Sequence, residues 1–407
     1  MSGGTGTDGG VGARAGVGQV QTERARVFDD ERPMRLESGA TLSPVEVAYE
    51  SYGELDAAAG NAIFVCHALS GDAHAAGYHE GDSRPGWWDN IIGPGRPLDT
   101  DRYFVICANV LGGCKGTTGP GSIDPVTRRP YGLRFPVLAV RDLVEAHRAL
   151  LAKLGIERLL AAIGGSLGGM QVLQWALDHP GELDGALVIA ASGRLSPQNI
   201  AFSAVAREAI MRDPEFAGGD YYSRSASPDR GLALARMIGH ITYLSEESMR
   251  EKFGRRIQDA SEPRQGFDID FEVESYLHHQ GQSFVERFDA NTYLYLTRVM
   301  DYFDPFSDPV WTQARIAAGS TSFLTLSFDS DWRFSTEHAR EITRALQMAG
   351  APVTFREISA PNGHDSFLMP NPDYHRTVAT YLDWLAEARG GAAAGPRAAS
   401  GGGEERG

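Results

Sequence analysis

Residues 159–170, which read Leu-Leu-Ala-Ala-Ile-Gly-Gly-Ser-Leu-Gly-Gly-Met, decide the fold. The apolar run predicts a buried strand, and the residues after Ser166 carry a helical pattern. Between them lies Gly-x-Ser-x-Gly, the pattern of a tight strand-to-helix turn that projects a nucleophilic serine. Such a turn strains the serine backbone and leaves no room for neighbouring side chains, which explains the glycines. The alternative is a glycine-rich turn with an incidental serine, but the flanking strand, the helix and Gly169 favour a nucleophile.

The same alternation of apolar runs and helical patterns extends over most of the chain. Short apolar runs predict strands buried on both faces, and the segments between several of them are long enough for crossover helices. This alternation is typical of an α/β fold with a mostly parallel sheet and helices on both faces. The predicted strands are 63–66, 103–108, 159–163, 186–190, 321–328 and 353–358. The predicted helices are 139–154, 167–179, 336–349 and 373–389.

Two kinds of segment interrupt this alternation. One long segment is dominated by helical patterns and predicts a helical lid inserted into the α/β core. Both chain ends are rich in glycine and alanine with few large apolar residues, so burial cannot offset the entropy of ordering them. The predicted helices of the lid are 199–211, 230–243 and 283–303. The predicted division is a disordered tail at 1–21, a core at 22–195 and 309–389, a lid at 196–308 and a disordered tail at 390–407.

The composition restricts the partners and the compartment. The chain has 407 residues, with 38 Lys and Arg against 53 Asp and Glu, a formal charge of -15. A surface that follows phosphates needs a cationic excess, so nucleic acid and anionic membranes are not expected partners. No apolar stretch approaches the roughly 18 to 20 residues that span a bilayer, and the first residues lack the apolar region of a secretory signal. Three cysteines without a Cys-x-x-Cys pair suit a reducing cytoplasm, and Cys66 and Cys107 are expected to be buried.

A serine hydroxyl needs a base, and the base needs an acid that orients it. With a serine at this kind of turn, the acid and then a histidine follow in the chain, each just beyond a strand. Asp329 and Asp331 both follow the predicted strand 321–328, and their positions alone do not separate them. His364 follows the last predicted strand and precedes the last helix, which makes it the expected general base. Asp365 beside it has a solvated carboxylate as its alternative interpretation.

The oxyanion of an acyl-transfer intermediate requires two backbone donors. The Leu167 N–H lies at the start of the predicted helix, where the helix dipole favours negative charge. The second donor is expected in the loop that follows the first predicted strand, which makes the Leu69 N–H the candidate.

Two further patterns resemble ligand sites only superficially. His67, His74 and His79 lack the His-Glu-x-x-His or cysteine spacing of a metal site. Residues 112–118, Gly-Gly-Cys-Lys-Gly-Thr-Thr, lack the spacing of a phosphate-binding loop. Neither a metal nor a bound cofactor is therefore expected.

Seven motifs spread over residues 24–388 carry a resemblance to a known family. They are His-Ala-Leu-Ser-Gly at 67–71, Gly-Trp-Trp-Asp at 86–89, Asn-Val-Leu-Gly-Gly-Cys at 109–114, Gly-Gly-Ser-Leu-Gly-Gly-Met at 164–170, Ala-Arg-Met-Ile-Gly-His-Ile-Thr-Tyr at 235–243, Ser-Asp-Trp at 330–332 and Gly-His-Asp-Ser-Phe-Leu at 363–368. Together they resemble the homoserine O-acetyltransferases of the α/β-hydrolase superfamily, which act in methionine biosynthesis. The resemblance implies an α/β-hydrolase fold with a helical lid.

The resemblance also assigns roles to individual residues. It implies Ser166 as nucleophile, Asp331 as triad acid and His364 as general base. It further implies that Arg236 binds the homoserine carboxylate and that Asp365 binds its ammonium group. Charge complementarity makes both assignments reasonable, although a salt bridge within the lid is the alternative for Arg236.

The resemblance completes the predicted reaction. It implies transfer of an acetyl group from acetyl-CoA to L-homoserine through an acyl-enzyme, with ping-pong kinetics and a homodimeric enzyme. Met170 and Tyr243 are expected to line or support the site. The alternatives are a succinyl donor, a serine acceptor, a serine esterase or other hydrolase with the same triad, and a catalytically silent binding protein.

Overall fold

The computed structural model describes residues 16–258 and 262–393, and its centre is an eight-stranded sheet. The strands are β1 (Glu23–Phe28), β2 (Met34–Arg35), β3 (Thr41–Leu42), β4 (Val45–Tyr52), β5 (Ala62–Cys66), β6 (Phe104–Ala108), β7 (Leu159–Gly165), β8 (Leu183–Ile189), β9 (Ser322–Phe328) and β10 (Val353–Ile358). The order in the main sheet is β1-β4-β6-β5-β7-β8-β9-β10, and β2 pairs with β3 separately. Only β4 runs opposite to the other strands of the main sheet, which confirms the mostly parallel sheet.

Helices cover both faces of this sheet. Ala62, Phe64 and Cys66 of β5 belong to one hydrophobic core, and the intervening Ile63 and Val65 belong to the other. This alternation explains why the strand is apolar throughout. The helices are α1 (Val140–Lys153), α2 (Leu167–Asp178), α3 (Pro197–Met211), α4 (Asp229–Tyr243), α5 (Glu246–Lys252), α6 (Glu272–Val285), α7 (Ala290–Asp301), α8 (Pro309–Ala317), α9 (Thr336–Met348) and α10 (Pro372–Ala393). The first core receives side chains from α1, α2 and α9, and the second receives them from α10.

The predicted lid contains α3 to α7, and α4 packs against both α3 and α6. The prediction of one helix over 283–303 is wrong, because α6 ends at Val285 and α7 begins at Ala290. The break has a local cause: the Asp289 carboxylate accepts a hydrogen bond from the Thr292 N–H at 2.8 Å and caps α7. Asp289 also accepts hydrogen bonds from the hydroxyls of Tyr221 and Tyr222, which fixes the turn between the two helices.

Two strand predictions need correction. The strands β1 and β4 are not predicted from the sequence, because polar side chains interrupt the apolar ones there. The segment 353–358 is predicted to be buried on both faces, but in β10 only Ile358 is buried. The reason is position, because β10 is an edge strand whose single neighbour is β9. Cys66 and Cys107 are fully buried, as predicted.

The chain ends are ordered further than predicted. Most of the expected tails, 1–15 and 394–407, lie outside the described residues. Residues 16–21 were assigned to the disordered tail, yet the Val20 N–H donates to the Tyr78 carbonyl at 3.0 Å and the Tyr78 N–H donates to the Gly18 carbonyl. At the other end, α10 continues to Ala393. Among the described residues, no helix has the length and apolar character needed to cross a membrane.

Candidate active site

Ser166 occupies the turn between β7 and α2 in a strained conformation, with φ 59° and ψ -123°. Its N–H donates to the Ile189 carbonyl at 3.0 Å, which holds the turn against the neighbouring strand. A side chain at Gly165 would collide with the Phe367 ring, and one at Gly168 would collide with the Cys66 carbonyl. These contacts confirm that the glycines of this motif are required by close packing.

Ser166, His364 and Asp331 form a continuous hydrogen-bonded chain. The Ser166 Oγ lies 2.9 Å from His364 Nε2, and His364 Nδ1 lies 2.7 Å from Asp331 Oδ2. All three side chains are buried, with at most 5% of each residue exposed. The Asp331 carboxylate can only accept a hydrogen bond, so Nδ1 donates and carries the proton. Nε2 is then unprotonated and can accept the serine proton. The arrangement can therefore activate the serine as a nucleophile.

The acid of this chain is Asp331 and not Asp329. Asp331 Oδ1 accepts hydrogen bonds from the backbone N–H groups of Arg333 and Phe334, each at 2.9 Å, which directs Oδ2 to His364. Asp329 Oδ1 instead accepts from the Ala360 N–H at 3.0 Å. The structure thus separates two residues that the spacing of the sequence left equivalent.

The two predicted oxyanion donors lie at the same edge of the sheet. β5 and β7 pair in parallel with Cys66 opposite Gly164, so the loop after β5 lies beside the turn at Ser166. Within the described part of the chain, neither the Leu69 N–H nor the Leu167 N–H donates to a protein acceptor. Both amides are therefore available to a substrate oxygen.

Arg236, which lies on α4, faces the triad without a carboxylate partner. Its guanidinium carbon lies 4.6 Å from the Phe284 ring centre and 5.6 Å from that of Tyr243. Its Nη1 donates to Ser70 Oγ at 3.4 Å, and its buried Nε has no partner among residues 16–258 and 262–393. No described carboxylate lies within ion-pair distance of Arg236, which weakens the alternative of a salt bridge within the lid. The guanidinium is positioned to bind an anion.

Asp365 is half-buried and also lacks a partner. Burial raises the pKa of its carboxyl group, while the charges of His364, Arg236 and Lys252 act in the opposite direction. No described group donates a hydrogen bond to this carboxylate or forms an ion pair with it. A carboxylate and a guanidinium that form no ion pair among the described residues, both beside the triad, are complementary to a small amino acid with both of its charges.

Tyr243, the last residue of α4, connects Arg236 with a second cation that the sequence analysis missed. Its ring centre lies 5.9 Å from that of His364, so Tyr243 supports the site as expected. The guanidinium of Arg333 lies 5.4 Å from the same Tyr243 ring and donates to Thr242 Oγ1 at 2.7 Å. Arg333 is 7% exposed, and no described carboxylate lies within ion-pair distance of it. The only signal in the sequence is its position two residues after the triad acid.

Met170 does not line the site. It has no exposed surface and belongs to the hydrophobic core beneath the serine, where its N–H donates to the Ser166 carbonyl at 3.2 Å. Of the two expected roles, lining or supporting the site, its position agrees with the supporting one, because α2 turns this side chain towards the sheet.

Two of the three histidines near the oxyanion loop, His74 and His79, share one carboxylate partner, and His67 is not part of this cluster. His74 Nδ1 and His79 Nε2 lie 3.0 and 2.7 Å from the buried carboxylate of Glu50, and the three possible ligand atoms lie within 4.8 Å of one another. Glu50 also accepts hydrogen bonds from the hydroxyls of Thr22 and Tyr52. Hydrogen bonds thus account for this cluster, and the absence of a metal stays a prediction.

Comparison with known proteins places the chain in a family. The family model described as alpha/beta hydrolase fold matches residues 61–369. A homoserine O-succinyltransferase of Magnetococcus marinus is 55% identical over 375 residues, which cover 90% of this chain and 95% of that protein. A homoserine O-acetyltransferase of Rhodospirillum rubrum is 53% identical over 358 residues, with coverage of 88% and 92%. The crystal structure of homoserine O-acetyltransferase from Bacillus anthracis superposes with a TM-score of 0.80 at 28% identity, covering 90% of this chain and 97% of that one. The chain therefore belongs to the homoserine O-acyltransferases, a family with the α/β-hydrolase fold.

Proposed function

We propose that this protein transfers an acyl group from acyl-CoA to the hydroxyl group of L-homoserine through an ester on Ser166. The observation that carries the proposal is the pair Arg236 and Asp365, a cation and an anion beside the triad, neither of which forms an ion pair with a described residue. A hydrolase with the same triad needs neither charge, because water is its acceptor. The product, an O-acyl-L-homoserine, agrees with a role in methionine biosynthesis.

Acylation uses the hydrogen-bonded chain of the triad. His364 Nε2 removes the Ser166 proton as Oγ attacks the thioester carbonyl, and Asp331 stabilises the imidazolium that forms. The carbonyl oxygen becomes an oxyanion that accepts hydrogen bonds from the Leu69 and Leu167 amides. Collapse breaks the carbon–sulfur bond, and His364 returns the proton to the CoA thiolate.

Transfer to the acceptor repeats these steps in the opposite direction. Arg236 holds the homoserine carboxylate and Asp365 holds its ammonium group, which places the hydroxyl near His364. His364 removes the hydroxyl proton, and the hydroxyl oxygen attacks the ester carbonyl. Collapse breaks the bond to Ser166 Oγ, which regains its proton from His364.

For the donor, we propose succinyl-CoA, whereas the sequence resemblance favoured acetyl-CoA. The names of the relatives include both donors. A succinyl group differs by a terminal carboxylate, which needs a cation of its own inside the site. Arg236 and Arg333 lie on one tyrosine ring beside His364, and neither has a carboxylate partner among the described residues. Two guanidinium groups that lack a carboxylate partner among the described residues match the two carboxylates of homoserine and a succinyl group.

Arg333→Met is expected to change the donor preference. Loss of a buried cation that pairs with the succinyl carboxylate should lower kcat/KM for succinyl-CoA by about 100-fold and leave that for acetyl-CoA within a few-fold. Steady-state rates of thiol release with both donors measure the ratio. Thr242→Val serves as the control, because it removes the hydroxyl partner of Arg333 and keeps the positive charge of Arg333. This variant should retain the preference for succinyl-CoA. Equal losses with both donors would contradict the assignment of Arg333 to the succinyl carboxylate.

The affinity for homoserine is expected to fall at low pH. Asp365 binds ammonium only when it is ionised, and burial raises the pKa of this carboxyl group above the ordinary 3.8. The KM for homoserine should therefore rise as pH falls through the pKa of Asp365. This rise should begin at a higher pH than it would with an aspartate of ordinary pKa. Asp365→Asn should raise this KM by about 10- to 100-fold and remove its pH dependence. The KM for acyl-CoA is the internal control, and an Asn variant with an unchanged pH profile for homoserine would contradict the assignment.

The remaining properties are proposed from the resemblance and the composition. We propose a cytoplasmic homodimer that needs no metal or bound cofactor and binds neither nucleic acid nor membranes. Apolar side chains of the lid helices are exposed, among them Val205 on α3 and Leu234 and Ile241 on α4, each at least 47% exposed. Such a surface suits a contact between two copies of the chain.

Initial-rate kinetics test the proposed function. A ping-pong pattern is expected when acyl-CoA and homoserine are varied together, because CoA leaves before homoserine reacts. Thiol release without homoserine should be slow. Fast release that homoserine does not accelerate would favour the hydrolase instead, and intersecting lines would contradict the acyl-enzyme route.

A further inference from the structure

The two oxyanion donors belong to separate elements, and their spacing is not fixed by a covalent link. Leu69 lies in the loop after β5, and Leu167 is the first residue of α2. Displacement of a catalytic donor by about 1 Å can cost 100-fold in rate. A group that joins the loop to the helix would therefore control the geometry of the oxyanion hole.

Gln171 makes this connection. It lies on α2 one turn after Leu167 and has no exposed surface. Its side-chain nitrogen donates to the His67 carbonyl at 3.1 Å and to the Leu167 carbonyl at 3.2 Å. One amide group thus binds His67, which lies in the loop two residues before Leu69, and also binds Leu167, which supplies the other oxyanion donor.

The orientation of this amide is determined by its surroundings. Its oxygen lies 2.9 Å from His147 Nε2. Burial lowers the pKa of His147 to about 4, so the ring is neutral. Because the amide NH2 group faces the two carbonyl oxygens, its oxygen faces His147, and Nε2 carries the proton that Gln171 accepts. A flipped amide would direct its oxygen at two carbonyl oxygens and its NH2 group at a donor. Only the observed orientation satisfies all of these groups.

The loop is held at a second point by the His67 side chain. The Val110 N–H donates to His67 Nε2 at 3.0 Å, so the proton lies on Nδ1, which is 2.7 Å from the Ala68 carbonyl. His67 is fully buried and its pKa is lowered by burial, which keeps the ring neutral as these bonds require. The ring fixes the loop to the strand edge, and Gln171 fixes it to the helix.

We propose that Gln171 is a positioning residue that sets the spacing of the Leu69 and Leu167 amides. The proposal rests on the proposed acyl transfer through Ser166 and adds to it a group that touches no substrate. Gln174 offers a matched control, because it lies on the same helix, is 6% exposed and donates at 2.8 Å to Asp178, away from the oxyanion loop.

The test uses a p-nitrophenyl ester, which acylates Ser166 without CoA or homoserine, and a trifluoromethyl ketone, whose adduct with Ser166 bears an oxyanion. Gln171→Met is expected to lower kcat/KM for the ester and the affinity for the ketone together, each by about 100-fold. Gln174→Met is expected to remain within about twofold in both. The melting temperatures of the two variants separate loss of folding from loss of positioning.

Gln171→Glu keeps the shape and decides the question if the Met variant does not fold. A protonated carboxyl group still donates one hydrogen bond, whereas an ionised one donates none. The rate of this variant relative to the wild type is therefore expected to fall as pH rises. A Met variant within twofold of the wild-type ester rate, or a Glu variant with a deficit independent of pH, would overturn the proposal. If Gln171→Met shows the expected losses with the ester and the ketone, but the wild-type protein forms no acyl-homoserine, only the proposed function is contradicted.

Discussion

Ser166→Ala is expected to lower the rate of acyl transfer to homoserine by about a million-fold, the largest effect of any single substitution in this chain. The acyl group then has no oxygen to bind, and His364 has no proton to remove. The fold should remain intact, because within residues 16–258 and 262–393 the side chain of Ser166 forms a hydrogen bond to His364 alone. Steady-state rates with acyl-CoA and homoserine, together with a melting curve, measure both expectations.

Ser366→Ala is the matched control for this substitution. Ser366 is 1% exposed and lies two residues after His364, and its Oγ has no hydrogen-bond partner among the described residues. Its loss should leave the rate nearly unchanged. A Ser166→Ala protein that keeps more than a small fraction of the wild-type rate would show that acyl transfer proceeds directly from CoA to homoserine.

Asp331→Asn is expected to lower kcat by about 10,000-fold through the tautomer of His364. The backbone N–H groups of Arg333 and Phe334 both donate to Oδ1, so the oxygen of the new amide will take that place. Its NH2 group then faces His364 Nδ1, which must accept, and the imidazole proton moves to Nε2. An imidazole with its proton on Nε2 cannot remove the proton of Ser166.

Asp329→Asn provides the contrast two residues away. Asp329 Oδ1 accepts from the Ala360 N–H, and an amide oxygen can accept this bond equally well. Activity within a few-fold of wild type is expected. Equal losses in the two variants would mean that this loop acts through its conformation and not through the charge at Asp331.

The nucleophile could be predicted from sequence because its requirements are local. Ser166, Gly165 and Gly168 are determined by one turn, and the colliding atoms of Cys66 and Phe367 only enforce what the motif already contains. The choice between Asp329 and Asp331 depends on which carboxylate reaches His364, a contact across 33 residues of chain. A family resemblance assigned Asp331, whereas spacing alone could not.

The missed strands have a different physical reason. The search for continuous apolar runs finds strands with helices on both faces, such as β5. In β4 polar residues interrupt the apolar ones, and Glu50 can be buried because His74, His79 and the hydroxyls of Thr22 and Tyr52 bind its carboxylate. Partners so distant in sequence leave no periodic pattern that would predict the strand.

Arg333 and Gln171 show the same limit at the site. Both were visible in the sequence, next to assigned residues, without an evident role. The meaning of Arg333 comes from the ring of Tyr243 and the absence of a carboxylate partner within the described residues. That of Gln171 comes from the carbonyl of His67, 104 positions earlier. Roles of this kind depend on tertiary contacts and require a structure.

Ser166 is expected to carry the acyl group between the two substrates. Intact-mass spectrometry tests it most directly, with the enzyme mixed with succinyl-CoA in the absence of homoserine. We predict a mass gain equal to one succinyl group, located on the peptide that contains Ser166, and its loss when L-homoserine is added, with formation of O-succinyl-L-homoserine. No adduct on Ser166 under conditions that give rapid product formation would contradict the account.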